Sequence, residues 1–173
     1  MASNTPVIKI PENIEKIERS QFVTFLDTTP TSTETWDLFG VGVSNYSIAY
    51  NPQVETEKWI IENNARNDHS SNQKQSSITQ KCFKGDPCFE FIAKGRDQLN
   101  YVTHILDIDI WNGTAGTYPA KKSDGKIAVT TWMGDNAQVE ADVYYDGDPI
   151  EGTVTFSNGK PTFTPTTSLN ASL

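Results

Sequence analysis

Two histidines, two cysteines and a scatter of carboxylates are the side chains in this sequence that could do chemistry. Nucleophilic catalysis needs a base within hydrogen-bond reach of a nucleophile and a third group to orient it. His69 and His104 are far apart, and neither sits in such a motif. His69 lies in the polar run NNARNDHSSNQKQ, where a solvated side chain is expected; His104 lies in YVTHILDIDIWN, where it reads as a pleat position. Cys82 and Cys88 are separated by a turn, lack zinc-ligand spacing and have no second Cys/His pair. They read as buried structural thiols. DGDPIE (146–151) matches only a fragment of a calcium loop, and its Asp-Gly and Asp-Pro pairs are ordinary turn chemistry. No phosphate-cradling or dinucleotide-binding glycine motif is present. The residues predict no catalytic group, no metal and no cofactor, and so a protein that is not an enzyme.

The carboxylates carry more information through their spacing. Asp107 and Asp109 share one face of a strand-like segment, as do Glu140 and Asp142, and Glu55 and Glu57. No basic residue interleaves them. Either these are solvated outer faces, or several such strands line one concave and uniformly negative wall. The net charge is −8, from 22 acidic and 14 basic residues. With no basic cluster, that balance opposes tight nucleic-acid binding.

The elements that must position these residues follow from periodicity. The chain has 173 residues, 36% of them apolar, which suits one domain. Residues 1–19 read as an arm with the apolar pattern Val7, Ile8, Ile10, Ile14 and Ile17. The domain proper spans 20–165, and 166–173 is a tail without a core pattern. QFVTFLD (21–27) is a strand and TTPTSTET (28–35) a polar loop. GVGVSNYSIAYN (40–51) and VETEKWIIE (54–62) are expected to pair as a hairpin across Asn51-Pro52. Residues 63–75 contain no large apolar side chain and read as a long loop, a type that is usually functional or disordered. SSITQKCF (76–83) is a strand.

At KGDPCFEF a helix begins. Gly85 closes the preceding turn, Asp86 is the N-cap and Pro87 takes the first helical position, where its missing N–H costs nothing. Cys88, Phe91, Ile92 and Leu99 then mark one face of a helix over 87–99. Residues 101–112 alternate as a strand, with Leu106, Ile108 and Ile110 opposite Asp107, Asp109 and Trp111. Residues 111–125 read as a loop. Strands 126–133 and 137–147 meet at Gly134-Asp135-Asn136, with Val139, Ala141, Val143 and Tyr145 as the core set. A last hairpin over 150–165 turns at Asn158-Gly159. The sum is a mainly β fold: an antiparallel sandwich or barrel of about eight strands with one packed helix.

SNYSIAYNPQVETEKWIIE, a polar loop, KGDPCFEFI, YPAKKSDGKIAV and YYDGDPIEGTVTF, in that order, resemble the major tail tube protein of long-tailed bacteriophages. The resemblance covers roughly residues 38–157. It implies a structural subunit related to type VI secretion tube proteins. Such subunits form hexameric rings that stack into a tube, and DNA passes through the lumen without specific binding. It also implies partnership with a tape measure and other tail proteins, a virion location after synthesis in the bacterial cytoplasm, and no membrane. Mapped onto this chain, Asn63, Asn64, Arg66, Asp68, His69 and Lys74 belong to an inter-ring loop. Glu55, Glu57, Glu140 and Asp142 become the hypothetical lumen set, meeting DNA phosphates with like charge. The paired cysteines depart from the family pattern. The rival reading is a carbohydrate- or receptor-binding β-sandwich of a virion, with Trp36, Trp59, Trp111 and Trp132 as a sugar platform.

The N-terminal stretch does not read as a signal peptide, and no run is long and apolar enough to span a membrane. Reduced thiols are therefore expected.

Overall fold

The computed structural model describes residues 14–166. Val7, Ile8 and Ile10 of the expected arm, and the tail from 167, lie outside them; Ile14 and Ile17 lie within and are exposed. The strands are β1 (Phe22–Asp27), β2 (Trp36–Phe39), β3 (Val43–Ala49), β4 (Pro52–Glu57), β5 (Arg66–Asn72) and β6 (Gln75–Lys81). After the helix α1 (Pro87–Gly95) come β7 (Tyr101–Asp109), β8 (Thr117–Gly134), β9 (Gln138–Ser157) and β10 (Lys160–Pro165). The main sheet runs β2-β1-β7-β8-β9-β6-β3, β10 adds to β9, and β4-β5 form a sheet of their own. Every pairing is antiparallel. Among the described residues the fold is therefore mainly β with one α-helix, as the alternating patterns predict, built on one curled sheet with the β4-β5 ribbon beside it.

Alternation sends successive side chains to opposite faces, and both faces are used. One face carries Leu26, Phe39, Ile78, Ile105, Ile127, Val139, Ala141 and Val143, roofed by Cys88, Phe91 and Ile92 of α1. The other carries Phe25, Trp36, Leu106, Ile108, Ala120 and Val154, with Phe163 of β10 packed against them. The two cores diverge at a bulge. Lys122 pairs with Ile150 and Asp124 with Asp146, so Gly147, Asp148 and Pro149 of β9 face Ser123 alone. Extra residues on one strand bend it, and Pro is tolerated there because no ladder donor is required. The short strand β2 serves both halves. Phe39 meets Tyr46 of β3 edge-on at 5.4 Å. Lys160 Nζ of β10 donates to the Trp36 carbonyl at 3.1 Å and to Asp37 at 2.8 Å.

Asp86 caps α1 as expected, its carboxylate accepting from Phe89 N at 3.2 Å, and Pro87 opens the helix. The same carboxylate accepts from Gln80 Nε2 at 2.7 Å. The helix stops at Gly95 rather than 99. There the Tyr101 ring packs so close that a Cβ would lie 2.1 Å from it. Leu99 falls beyond the helix and is 94% exposed.

Three sequence expectations are overturned. The hairpin expected between 43–51 and 54–62 does not form, because Asn51 takes a φ of 42° and kinks the chain without reversing it. Instead β3 pairs with β6 and β4 with β5. Residues 66–72 of the expected loop are strand β5. Within the expected loop 111–125, β8 already begins at Thr117, after a tight turn in which Thr114 and Thr117 exchange hydrogen bonds. The Asn158-Gly159 hairpin and the Val139–Tyr145 core set stand as predicted.

Replacing Asp86 by Ala removes the cap and strips a charged partner from the buried Gln80 amide. We expect a loss of about 2 kcal/mol, the upper end for an N-cap. Urea unfolding followed by circular dichroism measures it.

Candidate assembly surfaces and the buried polar centre

The segment Val43–Lys81 is one long hairpin. Ala49 faces Gln75 and Pro52 faces Asn72, so the register of β3–β6 runs unbroken into β4–β5 through Asn51. Asn51 Nδ2 donates to the Gln73 carbonyl at 3.1 Å, and Gln73 N donates back to the Asn51 carbonyl at 3.3 Å. Below this joint, Tyr46 and Ile78 pack on the core. Above it, β4 and β5 are exposed throughout, and neither contributes to a hydrophobic core. Polar cross-strand contacts such as Thr56 Oγ1 to Asn67 Oδ1, at 3.0 Å, hold the ribbon.

The ribbon ends in Trp59-Ile60-Ile61, the reverse of what a solvated tip should carry. Ile60 is 103% exposed and Ile61 85%. The Arg66 guanidinium covers the Trp59 ring from 4.2 Å and forms a bidentate ion pair with Glu62. A contiguous exposed apolar cluster rimmed by charge marks an interaction site. Asn63 and Asn64 lie in this tip. Arg66, Asp68 and His69 are on β5, where His69 Nε2 lies 2.9 Å from Asn72 Oδ1. Lys74 stands at the ribbon's base, 4.0 Å from the Tyr145 ring centroid, and burial pushes its pKa down.

The four hypothetical lumen residues separate into two pairs. Glu55 and Glu57 sit on the ribbon opposite Asp68 and Arg66. Glu140 and Asp142 sit on the outward face of β9. Across that face run two rows: Ser47, Ser77, Asp142 and Ala128, then Asn45, Thr79, Glu140 and Thr131. Ser77 Oγ donates to Asp142 at 2.8 Å and Thr131 Oγ1 to Glu140 at 3.0 Å. The only charges in these rows are negative.

Asp107 has a different role from the one its spacing suggests. It lies on the helix-roofed face and is buried. Thr24 Oγ1 donates to it at 2.8 Å, the Tyr46 hydroxyl lies 3.5 Å away, and the Tyr46 and Tyr145 hydroxyls share a hydrogen bond of 2.8 Å. This network ties β1, β7, β3 and β9 together inside the curl. Burial pushes the Asp107 carboxyl up despite the Thr24 bond, and burial also raises Tyr46 well above its ordinary value and Tyr145 to about 12.

The cysteines are free thiols, Cys88 buried under β2 and Cys82 partly covered. Burial raises both pKa values, so neither is poised as a thiolate. The tryptophans do not form a shared platform. Trp36 is in the second core, Trp59 at the ribbon tip, Trp111 in a short turn after β7, and Trp132 stacked on Phe89.

No protein-family model matches the chain, and no curated protein matches it significantly.

Two groups of residues escaped the sequence reading. The tip was hidden inside what read as a strand, yet WII is the one run of adjacent large apolar side chains between Tyr50 and Ile78, and that isolation was a usable signal. The network around Asp107 gave no local signal, because its members come from four distant strands.

Asp107 titrates with a folded pKa above its ordinary 3.8. The native state therefore holds more protons than the unfolded chain in the window above 3.8, and the contribution to stability falls as pH rises through it. We expect wild type to gain stability relative to Asp107→Asn as pH drops through that window. Urea midpoints of the two proteins across the acid range measure the difference.

Proposed function

We propose that this chain is a structural subunit that assembles with copies of itself into stacked hexameric rings, forming the tube of a bacteriophage tail. The observation that carries the reading is the ribbon Pro52–Asn72. It is built and registered like part of the sheet, contributes to neither core of its own chain, and ends in an apolar knob. A monomer gains little by holding such a structure in water. A subunit that must reach a neighbouring copy gains a contact of roughly 25 cal/mol for each Å² of apolar surface it covers there. A knob received by a different patch of the neighbour makes a heterologous contact, the kind that generates rings or open stacks.

Two further features favour the same reading. The main sheet ends in the edge strands β2 and β3, and between them a groove of about 440 Å³ is lined by Phe22, Leu38, Phe39, Val43 and Tyr46 together with Arg19, Ser20, Thr24 and Ser44. Open strand edges are templates for a neighbour's strands. The two central rows of the outward wall of β3, β6 and β9 combine short hydroxyl and amide side chains with Glu140 and Asp142, and the flanking rows bring in Lys81 on one side and Tyr144 with Lys126 on the other. In a ring such a wall would face the bore and let DNA pass without adhering. The tape measure and other tail proteins are the further partners, and the virion is the final location.

Electron microscopy of concentrated protein is expected to show rings or tubes. The double variant Ile60→Asp/Ile61→Asp should remain folded, with its urea midpoint unchanged, yet sediment as a small species. Large assemblies persisting in that variant would remove the ribbon from the interface. Replacing both Glu140 and Asp142 with Lys is expected to leave assembly intact and give tubes that retain labelled DNA at low salt. Tubes that still shed DNA would place this wall elsewhere than the bore.

A further inference from the structure

On the sheet face opposite α1, side chains from three separate segments converge. Asp27, the last residue of β1, is fully buried. Its Oδ1 is committed to the loop that follows, accepting from Thr29 N at 3.0 Å, Thr35 N at 2.9 Å and Thr29 Oγ1 at 3.5 Å. That leaves Oδ2 aimed out of the loop, 2.8 Å from His104 Nδ1 on β7. The same wrapping brings Glu34 over the imidazole, with Oε1 3.9 Å from Nδ1. On the far side of the ring, Asp124 Oδ1 lies 3.7 Å from Nε2. Lys122 pairs with Glu34. Three carboxylates and one ammonium surround the imidazole, two more acidic side chains than basic ones.

We propose that Asp27, Glu34 and His104 form a binding site for one divalent metal ion of the zinc class. Their ligand atoms already lie within 4.8 Å of one another. Zinc binds imidazole nitrogen and carboxylate oxygen at about 2.0–2.2 Å, which sets tetrahedral ligand atoms roughly 3.3 Å apart. The Asp27–His104 pair opens by about half an ångström to reach that spacing, Glu34 closes on Nδ1 by a similar amount, and Glu34 closes on Asp27 by at most about 1.5 Å. These are side-chain adjustments. The two loop N–H groups on Oδ1 hold the Asp27 carboxyl in place. Asp124 on Nε2 is the carboxylate that orients a metal-bound histidine. The ion would offset the excess of acidic side chains and pin the 28–35 loop to β7, leaving a fourth position for water.

Intact protein, stripped with a chelator, is titrated with cobalt(II) chloride, and visible absorption reports nitrogen and oxygen ligands. Zinc sulfate then displaces the cobalt. One cobalt per chain is expected, with a rise in melting temperature when zinc is bound. Glu34→Gln, at an exposed loop position, and His104→Gln should each abolish saturable binding. Asp124→Asn should weaken it about tenfold, the effect of losing an orienting partner. His69→Gln, at the other histidine, should change nothing. Absence of saturable binding in the wild type overturns the proposal. So does binding that survives both His104→Gln and Glu34→Gln, or that is lost in His69→Gln. Assembly into tubes is a separate readout and does not bear on the metal.

Discussion

The ladder between β8 and β9 is the constraint from which the rest of the molecule follows. The two strands have 18 and 20 residues, several times the usual strand length. Strands twist, so a ladder of that length cannot keep one face turned toward one core. The chain resolves this by using both faces. At one end Val139, Ala141 and Val143 point inward under α1; at the other Val154 points to the opposite side, toward Phe25 and Leu106. The excess Gly147-Asp148-Pro149 in β9 takes up the bend between the two regimes. Strands β1, β2 and β7 then pack on both sides, which is why Phe25 and Leu26, adjacent in sequence, belong to different cores.

Where a strand had one wet and one dry face, the sequence announced it. The Val139–Tyr145 alternation, the Asn158-Gly159 turn and the Asp86-Pro87 helix start were all legible because each has a local cause. The ribbon was legible only in part: 54–62 was read as a strand but given the wrong partner, and β5 was missed, since both strands are solvated on both faces and carry no apolar period. Pairing with each other is all that makes them strands. Residues 117–125 read as a loop for a related reason: Pro119 and the two lysines break the pattern, and the ladder with β9 overrides it. The acids at 140 and 142 were read as sharing a face, and they do. Asp107 shows the limit of such reading, because a buried polar position and an exposed one have the same alternation.

Buried polar groups in this fold stand where the curl must be fastened. Gln80 and Asp86 tie the end of β6 to the start of α1 and, through Gln80 Nε2, to the Val41 carbonyl at 2.9 Å. Asp27 gathers the 28–35 loop and returns the chain to β2. Asp107, Thr24, Tyr46 and Tyr145 bridge strands that the main-chain ladder leaves far apart. A hydrogen bond to a charged group contributes about 1.5–3 kcal/mol and is costly to leave unmade. An open curl has no ladder across its gap, so side chains of this kind substitute for the missing main-chain bonds and set how wide the gap stands.

That fastening bears on assembly through entropy. A disordered loop that ordered on docking would lose about 1–2 kcal/mol of backbone freedom per residue fixed. The ribbon has its register set by β3 and β6 before any partner arrives, so that cost falls on folding rather than on association. Only the turn around Trp59-Ile60-Ile61 remains to adjust. At the tip the Arg66 guanidinium covers one face of the Trp59 indole. In the proposed assembly, a preformed reach with a small apolar end would favour contacts that are individually weak and gain strength by repetition, which is what a reversible polymer of identical subunits requires.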